Sequence, residues 1–140
     1  MAATTVATSY YTANGTGPLH PMGAGATAGR ERVIVAPYTT TAIEAGSTIN
    51  VAYVPAGAIL TGFEAHCEGN AASSTLKLTY GSTDVKAATS IASSDTVLTA
   101  NLQALDGAPS TSATLAKAVT GGATLTADKA IVFVIRYVLD

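Results

Sequence analysis

Three side chains in the segment FEAHCEG could do chemistry together: Glu64, His66 and Glu68. Two carboxylates around an imidazole supply a general base, a general acid, or oxygen and nitrogen ligands for Zn²⁺ or another transition metal. The spacing i, i+2, i+4 puts all three on one side of an extended strand, because successive side chains alternate between faces. The same spacing works against convergence. Alternate residues on one face stand roughly 7 Å apart along the strand, whereas zinc holds its ligands at about 2 Å. A metal-dependent hydrolase built on this triplet would need a second cluster elsewhere. The chain's other histidine, His20, lies in a segment of different character. We read the triplet as the polar, solvent-facing side of a strand whose other side carries Ile59, Phe63, Ala65 and Cys67, with Leu60 grouped on the polar side.

Other motifs point away from catalysis. GAGATA, Gly23 to Ala28, matches a lenient dinucleotide fingerprint, but that motif requires a strand before it and a helix after it. Here PLHPM precedes and the strand-like RERVIVA follows. There is no phosphate-loop or nucleophile-elbow motif. Asp84, Asp95 and Asp106 have no calcium-loop spacing. Cys67 alternates inward with Phe63 and reads as a small hydrophobe, with His66 on the opposite face. The sequence therefore predicts no enzyme, no catalytic residues, no metal and no cofactor.

The elements that must position these residues follow from composition and pattern. The chain has 140 residues, a formal net charge of −2 and only 11% charged residues, against about a quarter in an average domain. It lacks the basic stripe that nucleic-acid binding requires. No run approaches the roughly 18 apolar residues of a membrane-spanning helix. One cysteine allows no intrachain disulfide, and the N-terminal residues lack the features of a secretory signal. Synthesis and folding in a reducing cytosol are therefore expected, with no nucleic-acid or membrane partner. Asn14-Gly15-Thr16, a glycosylation tripeptide, is read as chance. A surface so poor in charge favours association.

Residues 1–29 carry Gly, Pro and small residues without sustained periodicity, and are expected to form an extended arm, with 30–140 as the domain proper. RERVIVAPY reads as a short apolar run stopped by Pro37. STINVAYV alternates, with Ile49, Val51 and Tyr53 on one face. VPAGAILTG turns at Pro55 and Gly57 into the FEAHC strand. STLKLTYG places Leu76, Leu78 and Tyr80 inward. In SSDTVLTANLQALDG, Asp95 as a cap and Leu98, Leu102 and Leu105 at helical spacing favour a short helix over a strand. The final IVFVIRYV is apolar on both sides, as in a central strand covered on both faces. Short strands between Gly, Pro and Ser loops, with a long crossing connection over 82–119, predict an all-β protein. The expected architecture is a single β-sandwich of jelly-roll or Greek-key type with an extended N-terminal arm.

The stretches AGSTINVAYVPAGAILTGFEAHCEG, STLKLTYGS and GGATLTADKAIVFVIRYVLD together resemble head decoration, or cement, proteins of tailed bacteriophages and related minor capsid components. The resemblance runs from Ala45 to Asp140, about two-thirds of the chain. It implies a non-enzymatic structural virion protein on the capsid exterior. Such a protein would bind the major capsid protein, cement neighbouring subunits, and associate with itself as a trimer or dimer. The arm would clamp its neighbours through Tyr10 and Tyr11, whose rings give contact area at modest entropic cost, and through Leu19, His20 and Met22. The alternative is a carbohydrate-binding β-sandwich module of a phage tail or fibre, although six Tyr, two Phe and no Trp supply few aromatic platforms.

Overall fold

Alternating Thr, Val, Ile and Leu with Gly-containing turns produces a chain of short strands and no α-helix among the described residues. A computed structural model describes residues 3–7, 31–105 and 109–139. The strands are β1 (Thr5–Ala7), β2 (Glu31–Thr39), β3 (Thr48–Val54), β4 (Ala58–Cys67), β5 (Thr75–Tyr80), β6 (Thr83–Ser90), β7 (Thr96–Thr99), β8 (Thr114–Gly121) and β9 (Ala130–Leu139), with one 3₁₀ turn at Leu102–Leu105.

The pairing is nested. β5 pairs with β6 across a tight turn, β4 with β7, β3 with β8, and β2 with β9, all antiparallel. This is one long ribbon doubled back at the β5–β6 turn. Curling the ribbon brings β9 against β4 and β8 against β5. Two sheets result, ordered β2-β9-β4-β7 and β1-β3-β8-β5-β6. Eight strands in this arrangement form a jelly-roll sandwich. β1 lies outside it, parallel to the β3 edge. Thr48 N–H donates to the Thr4 carbonyl at 2.9 Å, and Thr4 N–H to Ser47 Oγ at 3.0 Å. The rest of the expected arm, residues 8–29, lies outside the described residues.

The core lies between the two inner faces. Ile34, Phe63, Phe133, Ile135 and Tyr137 from one sheet meet Ile49, Val51, Leu76 and Leu78 from the other, all buried. Phe63 and Phe133 come from neighbouring strands, with ring centroids 6.5 Å apart and planes tilted 50°. That geometry suits the opposed charge of ring face and edge.

Several expectations need correction, and most fail at irregularities in the ladder. β3 changes register between Asn50 and Ala52. Val51 and Ala52 are both buried, and Tyr53 falls on the outer side rather than beside Ile49. A second shift, between Leu60 and Gly62 of β4, makes Ala58 and Leu60 the inward residues before it and Phe63, Ala65 and Cys67 those after it. Ile59 therefore does not share a face with Phe63, and Leu60 does not join the polar side. A bulge inserts one residue and exchanges the faces. Pro37 does not end its strand. β2 runs through it to Thr39, and as an edge strand it tolerates a missing donor. The helix favoured in SSDTVLTANLQALDG is absent. Asp95 adopts a left-handed turn conformation (φ 60°), β7 follows it, and helical geometry is confined to the 3₁₀ turn. The neighbouring β4 edge offers this segment a ladder and burial for Leu98, which outweigh its weak intrinsic helical preference. β9 is central in its sheet, but its outward Val132, Val134 and Val138 are only half-buried.

One turn closes without room for any side chain. At Gly122 (φ +78°) an added Cβ would stand 1.9 Å from the Ser73 carbonyl oxygen. Gly57 has a similar φ of +84°, but its Cβ would meet only Leu139 Cδ1, at 3.8 Å. Gly122→Ala should therefore destabilise the protein by more than ~2 kcal/mol, combining left-handed strain with the backbone clash. Gly57→Ala should cost about 1 kcal/mol, the strain alone. Urea unfolding of both variants checks the difference, and equal costs would contradict this account of the Gly122 turn.

Candidate functional site

The β4 polar side chains stand on the outer face of the β2-β9-β4-β7 sheet, and the register fixes their neighbours. Across one row Val35, Val134, Glu64 and Thr99 lie side by side; across the next lie Pro37, Val132, His66 and Val97. Arg136 sits one row further, between Val33 and Gly62.

Glu64 is already engaged. Arg136 Nη1 donates to its Oε1 at 2.7 Å, and His66 Nε2 lies 3.9 Å from the same oxygen. This hydrogen bond, followed by the carboxylate's charge, makes the Arg136 guanidinium hold its proton still more firmly. Glu68 turns elsewhere, its Oε1 accepting from the Ala130 N–H at 3.4 Å. The triplet is thus split between an ion pair and a strand end. Among the described residues, no three His, Cys, Asp or Glu side chains are grouped to hold a metal ion. Nor is a thiol nucleophile poised nearby. Cys67 faces the core at 4% exposure, and burial pushes its thiol up to about 11.

Much of the rest of this face is apolar. Val33, Val35 and Val97 are 53%, 56% and 51% exposed, and half-buried Val132 and Val134 lie in the β9 rows between β2 and β4. Single exposed valines are ordinary, but several neighbouring ones on a flat sheet make a contiguous apolar patch of the kind that marks contact surfaces. Beside it Glu64 and Arg136 neutralise each other, whereas Glu31, at the start of β2, keeps its charge and accepts a hydrogen bond from Thr61 Oγ1 at 2.7 Å. Sequence reasoning missed this patch. Its only signals were the apolar run of RERVIVAPY, read as stopping at Pro37, and the two-sided apolar character of IVFVIRYV, read as burial on both faces.

A second feature went unread because three separated segments build it. Tyr53 at the end of β3, Tyr80 and the β5–β6 turn, and residues 109–115 leading into β8 enclose an open cleft of about 640 Å³. The corner Pro55–Ala58 braces it: Gly57 N–H donates to the Ser110 carbonyl at 2.7 Å, and Ser110 N–H to the Ala58 carbonyl at 3.1 Å. Tyr10, Tyr11, Leu19, His20 and Met22, the contact residues expected in the arm, lie outside the described residues.

No family model and no curated protein sequence matches the chain. Solved structures do match. A chain in the capsid of Ralstonia phage GP4 shares the fold with a TM-score of 0.72, over 97% of this chain and 98% of that one, at 15% identity. A chain in the capsid asymmetric unit of cyanophage Pam1 aligns with a TM-score of 0.55, over 89% and 95%, at 20% identity. At such identities the likeness is one of fold, carried by the sandwich and the course of the chain.

The environment of Cys67 makes a testable demand. In the native protein at pH 8 the thiol should be protonated and covered, so Ellman's reagent should react only after unfolding. Burial raises the folded value from about 9 to about 11 and favours the neutral form. This contribution to stability is therefore fully present below about pH 9 and is lost as pH rises toward about 11. A Cys67→Ala variant should show a flatter loss of stability over that interval. Rapid labelling of the folded protein at pH 8 would contradict the assignment.

Proposed function

We propose that this chain is a non-enzymatic structural protein of a phage virion, which binds the outer surface of the capsid and cements neighbouring capsid subunits. The observation that carries the reading is the near end-to-end correspondence with a chain of the GP4 capsid. The likeness spans 97% of this chain and 98% of that one. The pattern of Ala45 to Asp140 and the charge-poor composition point the same way.

The mechanism is linkage. A protein that binds the assembled shell, but not free subunits, lowers the free energy of the assembled state in proportion to RT ln(1 + [L]/Kd) at each site. Repeated over a lattice, modest site affinities hold the shell against expansion. The sandwich acts as a rigid plug. The centre of its valine-rich face, where Glu64 and Arg136 neutralise each other, can be dehydrated against a subunit while Glu31 stays at the solvated rim. Residues 1–29 serve as the clamp, with Tyr10, Tyr11, Leu19, His20 and Met22 as anchors on the major capsid protein or on further copies of this chain in a trimer or dimer. Low charge gives such a protein no purchase on nucleic acid.

Two measurements test the reading. In co-sedimentation with purified undecorated shells, the full chain should saturate a fixed number of sites, and a 30–140 truncation should remain folded yet bind at least about tenfold more weakly, a loss of ~1.4 kcal/mol. Equal binding of the two would sink the clamp. The exposed double variant Val33→Asp/Val35→Asp should keep its melting temperature and lose shell binding by a comparable factor. Retained affinity would remove the valine face from the interface. Quantitative mass spectrometry of the virion should find copy numbers in proportion to the major capsid protein; a few copies per particle would place the chain on the tail instead.

A further inference from the structure

The cleft beside Tyr53 and Tyr80 has no part in capsid docking as argued above, and its chemistry is distinctive. We propose that it is a binding site for a neutral saccharide. Among the described residues no charged side chain lines it, whereas the hydroxyls of Ser82, Thr83, Ser110, Thr111, Ser112 and Thr114 are dense. A hydroxyl both donates and accepts, so such a lining can answer the hydroxyls of a sugar in either sense. Half-buried Tyr53 adds an apolar surface for the C–H side of a pyranose. A ligand with a carboxylate or phosphate would be desolvated here without a cation to meet it. The volume, about 640 Å³, lies in the range of small-molecule sites.

The floor is closed by Tyr80, which is 7% exposed, its hydroxyl covered beside the Ser110 and Thr114 side chains. The walls are fixed beforehand. Gly81 N–H donates to the Leu115 carbonyl at 2.9 Å, and Ser110 is tied to the Pro55–Ala58 corner. Gly81 (φ +63°) has no space for a side chain, since a Cβ would stand 2.9 Å from Thr114 Cγ2. Little ordering is left for the ligand to impose. A peptide strand fits less well. It would seek a free backbone edge, but Tyr53, Tyr80 and Leu115 already belong to the β3–β8–β5 ladder.

The test uses the full chain with maltose, lactose and cellobiose as neutral probes and N-acetylneuraminic acid as the acidic one, read by saturation-transfer NMR and calorimetry. At least one neutral disaccharide should bind saturably, with a dissociation constant on the order of 1 mM. Ser82→Ala/Thr111→Ala, two exposed positions whose change leaves the fold intact, should weaken binding about tenfold. Tyr53→Ala, checked by its melting curve, should weaken it as well. No saturable neutral ligand, preference for the acidic sugar, or binding indifferent to these variants would overturn the proposal. So would a peptide of the major capsid protein that bound the cleft while no disaccharide did. Shell co-sedimentation of the same variants should be unchanged, so failure here leaves the capsid reading standing.

Discussion

The pairing of β9 with both β2 and β4 is the constraint on which the rest of the structure depends. β9 is the only described strand of its sheet with long ladders on either side, running from Glu31↔Val138 to Thr39↔Ala130 and from Ala58↔Leu139 to Cys67↔Ile131. Its odd-numbered residues, Ile131, Phe133, Ile135 and Tyr137, are buried in the core. With that parity fixed, Val132, Val134 and Arg136 must face outward, and their ladder partners Val35, Val33, Glu64 and His66 must follow. Core, valine face and ion pair are three consequences of one register. A slip of one residue would exchange them all.

This register also explains why a polar triplet suited on paper to catalysis is divided between separate partners. Glu64, His66 and Glu68 do alternate along one strand face. The neighbouring strand, however, places a guanidinium against the first, and the end of β4 aligns the third with the Ala130 amide. Cys67, between the last two, faces the core on the other side of the sheet. Chemistry on a sheet depends on what the adjacent strands bring, and no single-strand motif contains that information.

The legible part of the molecule was the part governed by local alternation. Leu76, Leu78 and Tyr80 read correctly as inward, and Phe63, Ala65 and Cys67 likewise. Turn glycines such as Gly57 marked a corner, and the crossing connections pointed to a jelly roll. What failed was non-local. The bulges at Asn50–Ala52 and Leu60–Gly62 reverse the phase of a strand without any compositional signature, so Tyr53 and Ile59 were assigned to the wrong side. Leu98, Leu102 and Leu105 have helical spacing, but the β4 edge claims the first of them for a strand. Apolar residues on both faces of β9 were taken to mean two-sided burial, although the outer face is only half-buried. The Tyr53–Tyr80 cleft draws on three segments separated by more than twenty residues each and has no linear motif at all.

The nested topology has a consequence for the order of events in folding. β2 leaves the ribosome long before its ladder partner exists; Thr40 and Lys129, which close the β2–β9 end of the roll, are 89 residues apart. Until β9 arrives, β2 and β4 present unsatisfied edges and the valines of one sheet stand exposed, on a chain with few charges to keep copies apart. Contacts of such long range close slowly and leave the intermediate prone to association. The strand that completes the sandwich is therefore also the one that ends its period of vulnerability. A low-charge surface suited to an assembly carries its greatest risk in the seconds before that strand docks.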